Sequence, residues 1–141
     1  MARSVSRPIS VARHPISSML LPVPIVCFIG ALLTDLSYVN SGGNFLWLNF
    51  SSWLIAAGLA FGVLALFILL IDGLRGASSW LSFGLIAGAW VVEFLNALIH
   101  ARDGWTAVVP LGMTLSILGA LLVLTGGWMS RATEAVVGGV R

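Results

Sequence analysis

Four long apolar stretches constrain the fold of this chain more than any other feature. Charge-free stretches cover Pro15–Thr34, Leu36–Ile71 and Ala77–Val92, and a fourth begins at Gly104. Roughly 20 apolar residues suffice for a helix to cross the hydrocarbon core of a bilayer. The second stretch is too long for one span, and the turn residues of Asn40–Asn44 interrupt it. The sequence therefore predicts four spans.

The expected fold is all-α, an integral membrane bundle of four helices in up-down order, because the connections are short. Helices are predicted at about 17–39, 51–72, 79–100 and 107–129, within a membrane domain of residues 17–130 between tails 1–16 and 131–141. Hydrophobic residues make up 59% of the chain, more than a soluble domain of this size contains. Pro22 and Pro24 leave two possibilities for the first helix: a start near Pro22 after a short interfacial segment, or a kink.

The arginines predict the orientation of the bundle. Six of the seven fall in the two tails and the second loop, and one falls on the opposite side: Arg3, Arg7, Arg13, Arg75, Arg131 and Arg141, against Arg102. Arginine and lysine are enriched in cytoplasmic loops, so both termini are expected in the cytoplasm. Seven scattered cations form no basic stripe, which excludes a nucleic-acid-binding class.

Paired glycines predict where helices pack closely. Gly58 and Gly62 on the second predicted helix, and Gly84 and Gly88 on the third, are small residues four apart. Such pairs let helix backbones approach each other. The contact is expected inside the bundle, and the alternatives are a homodimer or another membrane protein.

A polar cluster is predicted in the outer half of the bundle. Glu93, Asn96 and His100 share one face of the third helix, and the first helix ends on the same side with Asp35 and Tyr38. The candidate cluster for ligand or proton binding comprises Asp35, Tyr38, Glu93, Asn96, His100 and Arg102. Glu93 is either a hydrogen-bonded acid that tightens helix packing or a proton or ligand site. His100 is either an interfacial residue or part of a relay or ligand site.

Two further sets of charged residues are assigned by position. Arg102, the cation on the outer side, is expected to pair with Asp35, Asp103 or Glu93. Asp72 and Arg75 are expected to form a paired or hydrated interfacial site at the cytoplasmic end of the second helix.

The sequence predicts no cofactor. His14 and His100 should lie roughly a bilayer apart, about 30 Å, and cannot bind one haem iron together. Haem b bound by His100 with Met113, or by two copies of His100 in a dimer, remains an alternative. A zinc site is not expected, the single cysteine Cys27 cannot form an internal disulfide, and no catalytic motif occurs.

Several blocks of the sequence resemble a bacterial membrane family known as domain of unknown function 2231. The blocks are "RHPISSMLLPVPIVCFIGALLTDLSY" at 13–38, "WLIAAGL" at 53–59, "ID" at 71–72 and "NALIHARDGWTAVVPLGMTLS" at 96–116. The resemblance implies a four-helix inner-membrane domain without an established activity, in a family whose relatives sometimes occur with cytochrome- or Rieske-type modules. The positions that match the family pattern are His14, Pro15, Pro24, Asp35, Asp72, Asn96, His100, Arg102, Asp103 and Trp105.

The chain departs from that pattern at two places. Ser17 and Ser18 stand where many relatives have a second histidine, and a histidine that many relatives carry around Leu81 to Gly84 is absent. Both departures weigh against a metal or haem site in this member. The expected function is a non-enzymatic accessory or anchoring subunit. The alternatives are a redox module that binds haem or quinone at the outer polar cluster and, less favoured, a small proton-coupled transporter.

Overall fold

The computed structural model describes residues 15–102 and 106–138, with side chains up to residue 132, and the described residues are helical with short connections. The helices are α1 (Pro15–Leu20), α2 (Pro22–Asn40), α3 (Phe45–Leu74), α4 (Trp80–His100) and α5 (Leu111–Gly138). Four segments are long and apolar enough to cross a membrane: Pro15–Asn40, Phe45–Leu74, Trp80–His100 and Leu111–Ala132. The predicted all-α bundle of four membrane helices is confirmed.

The first span is interrupted at Leu21, between α1 and α2. Leu21 keeps helical backbone angles, φ −58° and ψ −37°, and its N–H donates to the Ser17 carbonyl at 3.1 Å. Pro22 and Pro24 lack an N–H, so the helical hydrogen-bond ladder is broken directly after this residue. Of the two possibilities, the structure shows an interrupted helix that starts at Pro15.

Three helix boundaries differ from those predicted by four residues or more, and one is the start of α5, at Leu111 rather than near residue 107. The helix α3 starts at Phe45 rather than near residue 51, because the Asn44 side chain accepts a hydrogen bond from the Leu46 N–H at 3.0 Å and so satisfies a free donor of the first turn. At the other end of the chain α5 continues to Gly138, so the predicted tail at 131–141 begins as helix.

The four spans pack in a ring, in which α2 contacts α3 and α5, and α4 contacts α3 and α5. Asp35 near the end of α2 lies beside His100 at the end of α4 and Ser116 near the start of α5. Neighbouring helices therefore run antiparallel, in the up-down order predicted. The centre of the ring is apolar, with Phe28 and Val123 almost fully buried.

Two glycines on α3 make close contacts with neighbouring helices. A Cβ on Gly58 would overlap the Phe28 ring of α2, and a Cβ on Gly62 would lie 2.8 Å from Cδ1 of Trp90 on α4. Gly84 has no heavy atom within 4 Å of its would-be Cβ, and Gly88 has one at 3.9 Å. The two α3 glycines thus make contacts inside the bundle, as expected for the main interpretation of this pair.

Replacing Trp90 with Phe should destabilise the protein moderately. The Trp90 Nε1–H donates to the Leu59 carbonyl of α3 at 2.9 Å, a hydrogen bond between two spans. Its loss should lower the free energy of unfolding by about 1 kcal/mol, since interhelical hydrogen bonds in membranes contribute about 0.6 to 1.7 kcal/mol. Unfolding in mixed micelles with increasing sodium dodecyl sulfate measures the effect. Trp128→Phe is the control, because Trp128 is 78% exposed, and an equal loss in both variants would contradict the assigned hydrogen bond.

Candidate functional site

A hydrogen-bonded polar network occupies one end of the bundle and draws on all four spans. Each of its members is buried although it lies among apolar helices. The members are Asp35 of α2, Ser51 of α3, Glu93, Asn96 and His100 of α4, and Ser116 of α5. We call this set the Asp35 network, and the end of the bundle that holds it the network end.

Asp35 and His100 form the centre of the Asp35 network. The Nε2 atom of His100 lies 2.9 Å from Oδ1 of Asp35 and 3.3 Å from Oγ of Ser51. On the other side of the imidazole, Nδ1 lies 3.1 Å from the Asn96 carbonyl oxygen, one turn back on the same helix. Both ring nitrogens therefore have protein partners.

The partners of His100 fix the positions of hydrogens in this pair. A carbonyl oxygen only accepts hydrogen bonds, so Nδ1 carries a hydrogen and donates it to Asn96. The contact between Nε2 and Oδ1 then holds one hydrogen, whether it resides on the imidazole or on the carboxyl group. In either case the Asp35–His100 pair has no net charge, which reduces the cost of burying two ionisable groups.

Ser116 connects Asp35 to the rest of α4. Its hydroxyl donates to Oδ2 of Asp35, and its own oxygen, Oγ, accepts a hydrogen bond from Nδ2 of Asn96 at 2.8 Å. Both carboxyl oxygens of Asp35 are therefore engaged, one by α4 and one by α5. Ser51 also donates to the Ala31 carbonyl at 3.4 Å, so all four spans meet at this point.

Glu93 lies deeper, about 10 Å from His100 along α4 at 1.5 Å per residue. Its Oε2 accepts from Nδ2 of Asn96 at 3.0 Å, and its carboxyl group packs directly against Gly119 of α5. Two buried oxygens here, Oε1 of Glu93 and Oδ1 of Asn96, have no hydrogen-bond donor among the described residues. The Asn96 amide nitrogen donates to both Glu93 and Ser116, and a group that donates on both sides does not relay a proton. Asn96 therefore separates Glu93 from the Asp35–His100 pair.

The structure brings together four of the six residues of the predicted cluster: Asp35, Glu93, Asn96 and His100. Tyr38 is buried one turn beyond Asp35, in an apolar group with Leu48, Ala107 and Val108.

Arg102 is exposed, and among the described residues the hydrogen-bond partners of the two network carboxyl groups are other residues. The physical reason is that a long guanidinium side chain at a helix end remains in water at little cost. Its other candidate partner, Asp103, lies outside the described residues, as do His14 and Trp105.

Sequence reasoning missed Ser116, one of several hydroxyl residues in the last apolar stretch. The signal that could have found it is its spacing with Gly119, which puts both on the face of α5 that meets Asp35 and Glu93.

At the other end of the bundle lie Asp72 and Arg75, the residues expected to form a paired or hydrated interfacial site. Asp72 is fully buried, whereas Arg75 is exposed. Asp72 continues the buried stripe of Ser51, Gly58, Gly62 and Ala65 along α3, and that stripe faces the interior of the bundle.

An open pocket of about 550 Å³ lies beside the Asp35 network. Its walls come from the first two turns of α3 and the last residue of α4: Phe45, Leu46, Leu48, Asn49, Ser52 and His100. The Asp35–His100 pair thus borders a cavity of the size that small-molecule sites have.

Metal binding at His100 would require a rearrangement. A haem iron needs one free ring nitrogen, and both nitrogens of His100 already have partners. Within the part of the chain that the structure describes, no three residues among His, Cys, Asp and Glu are grouped to hold a metal ion.

Four apolar antiparallel spans with a polar network at one end define a small multi-pass integral membrane protein. A family model described as "Predicted membrane protein (DUF2231)" matches residues 13–138. The chain belongs to this family, as the sequence resemblance predicted. No curated protein and no solved structure matched the chain.

Proposed function

We propose that this protein is a non-enzymatic accessory or anchoring subunit of the bacterial inner membrane. One observation carries the proposal: the Asp35 network takes a residue from each of the four spans and directs their polar groups at one another. A network of this kind specifies how four apolar helices assemble. It gives the bundle a fixed shape that a larger membrane partner can recognise.

The outer surface of the bundle supports this role. It is apolar on every span, with strongly exposed side chains such as Val26, Trp53, Leu81 and Leu121. Without a hydrophobic driving force in lipid, helices associate through shape and close packing. A rigid bundle offers a partner a surface that needs no ordering on binding, which lowers the entropic cost of association.

Site-specific photo-crosslinking in cells tests the anchoring role. A photoreactive residue is placed at exposed Val26, Trp53, Leu81 or Leu121, one on each span, with buried Ile55 as the control. The expected result is one recurrent protein adduct from neighbouring spans and none from the opposite face or from Ile55. Lipid adducts alone at all four positions, with a lone monomer after extraction in mild detergent, would contradict the proposal.

The orientation is proposed from the arginine distribution: both termini and Arg75 are on the cytoplasmic side, and the network end faces outward. Single cysteines in a Cys27→Ser background distinguish the two sides. Ser41→Cys lies in the exposed turn at the network end, and Leu74→Cys lies at the exposed end of α3 on the other side. A membrane-impermeant maleimide added to spheroplasts should label Ser41→Cys and leave Leu74→Cys unlabelled until the cells are lysed. The reverse pattern would overturn this orientation.

A further inference from the structure

We infer that the pocket beside His100 binds the carbonyl-bearing head of a neutral, membrane-soluble quinone. The position of the pocket relative to the bilayer supports this inference. The helix α3 has 30 residues, which is about 45 Å, against about 30 Å of hydrocarbon. The first two turns of α3 therefore lie at the boundary between headgroups and hydrocarbon, where the polar head of an amphiphile resides.

The residues of the pocket wall favour an uncharged ligand. Phe45, Leu46 and Leu48 supply an apolar side, and Asn49 and Ser52 supply polar groups. Among the described residues that line the pocket, none is an arginine or a lysine, the side chains that usually bind phosphate. This composition favours an uncharged head with an apolar ring over the headgroup of a phospholipid.

Asn49 and Ser52 each have a hydrogen-bonding group that a ligand can use. Asn49 is exposed, and its side-chain amide makes no hydrogen bond with a described residue, so it can donate to a ligand carbonyl. The Ser52 hydroxyl donates to the Leu48 carbonyl at 2.9 Å, which leaves its oxygen free to accept. A quinone carbonyl matches the first group and a quinol hydroxyl matches the second.

His100 forms the floor of the pocket without offering a free nitrogen, because both nitrogens are held by the Asp35 network. Its imidazole lines the pocket, so its resonances can report occupancy. Quinone binding here does not depend on the anchoring role, because it needs no protein partner.

Binding of a short-chain quinone to the protein in phosphatidylcholine nanodiscs tests the inference. The unmodified protein should bind one quinone per chain saturably. Asn49→Leu should weaken binding about 3- to 10-fold, as expected for one lost hydrogen bond to a neutral group. Ser52→Leu should weaken it at least about 10-fold, because the larger side chain fills the cavity. The control is Ser37→Leu, whose hydroxyl also bonds a carbonyl four residues back, on α2 away from the pocket.

A second measurement excludes binding elsewhere on the protein. The chain has two histidines, His14 and His100. In protein labelled with ¹⁵N-histidine, quinone should shift the ring resonances of His100 and leave those of His14 unchanged. The inference is overturned if binding does not saturate, if Asn49→Leu and Ser52→Leu bind as the control does, or if phosphatidylglycerol displaces the quinone from the pocket.

Discussion

Replacing Asp35 with Ala should lower the free energy of unfolding by about 3 kcal/mol, the largest loss expected from a single truncation in this protein. Asp35 accepts hydrogen bonds from His100 of α4 and from Ser116 of α5. Its removal leaves both donors buried without this acceptor, and breaking a buried pair of this kind costs about 3 to 5 kcal/mol. The measurement is the unfolding transition in mixed micelles with increasing sodium dodecyl sulfate, followed by circular dichroism.

Two variants calibrate this result. Ser116→Ala removes one of the two hydrogen bonds to Asp35 and should cost about 1 kcal/mol. Ser37→Ala removes a hydroxyl that bonds within α2, and its effect should stay below about 0.5 kcal/mol. If Asp35→Ala were as stable as Ser37→Ala, the Asp35 network would not hold the spans together.

Replacing Gly58 with Ala should also destabilise the bundle, by about 1 to 3 kcal/mol, the usual cost of overpacking a well-packed core. The added methyl group would lie 2.7 Å from Cδ1 of Phe28 and 3.0 Å from Cβ of Cys27. Phe28 is 1% exposed and packs among buried neighbours that include Ala89 and Val123. We therefore expect α2 and α3 to separate at this contact.

Gly84→Ala is the matched control for Gly58→Ala, because it adds the same methyl group to a helical glycine with nothing within 4 Å. It should be neutral or slightly stabilising, since Ala favours helix over Gly by up to about 1 kcal/mol. A loss for Gly58→Ala that depends on protein concentration would instead place Gly58 at a contact between copies, against the structure.

The sequence predicted the four spans well because a bilayer imposes a length and an apolar composition that few other folds satisfy. The predicted start of α3 was six residues late. Asn44 follows a run of turn residues, so it was assigned to the turn and not recognised as the N-cap of the helix. For the first helix the sequence left two possibilities, a start near Pro22 or a kink, because proline interrupts helical hydrogen bonding in both cases. Choosing between them required the path of the backbone, which packing against α3 determines.

The candidate site was predictable in part, for a similar reason. Spacing along one helix placed Glu93, Asn96 and His100 on one face, and helix order brought Asp35 to the same end. The residues that the other helices contribute to the site were harder to predict, because packing sets the rotation of each helix about its axis. Ser116 was missed for this reason, and the exposed position of Arg102 at the end of α4 was not predicted either.

A double-mutant cycle between Asp35 and His100 tests their interaction most directly, with Asp35→Ala, His100→Ala and the double variant unfolded under the same conditions. We expect a coupling energy of about 1.5 kcal/mol or more, because Nε2 of His100 and Oδ1 of Asp35 lie 2.9 Å apart and share one buried hydrogen. Additive effects, with a coupling energy of about zero, would show that the two residues act separately and that their hydrogen bond does not hold α2 to α4.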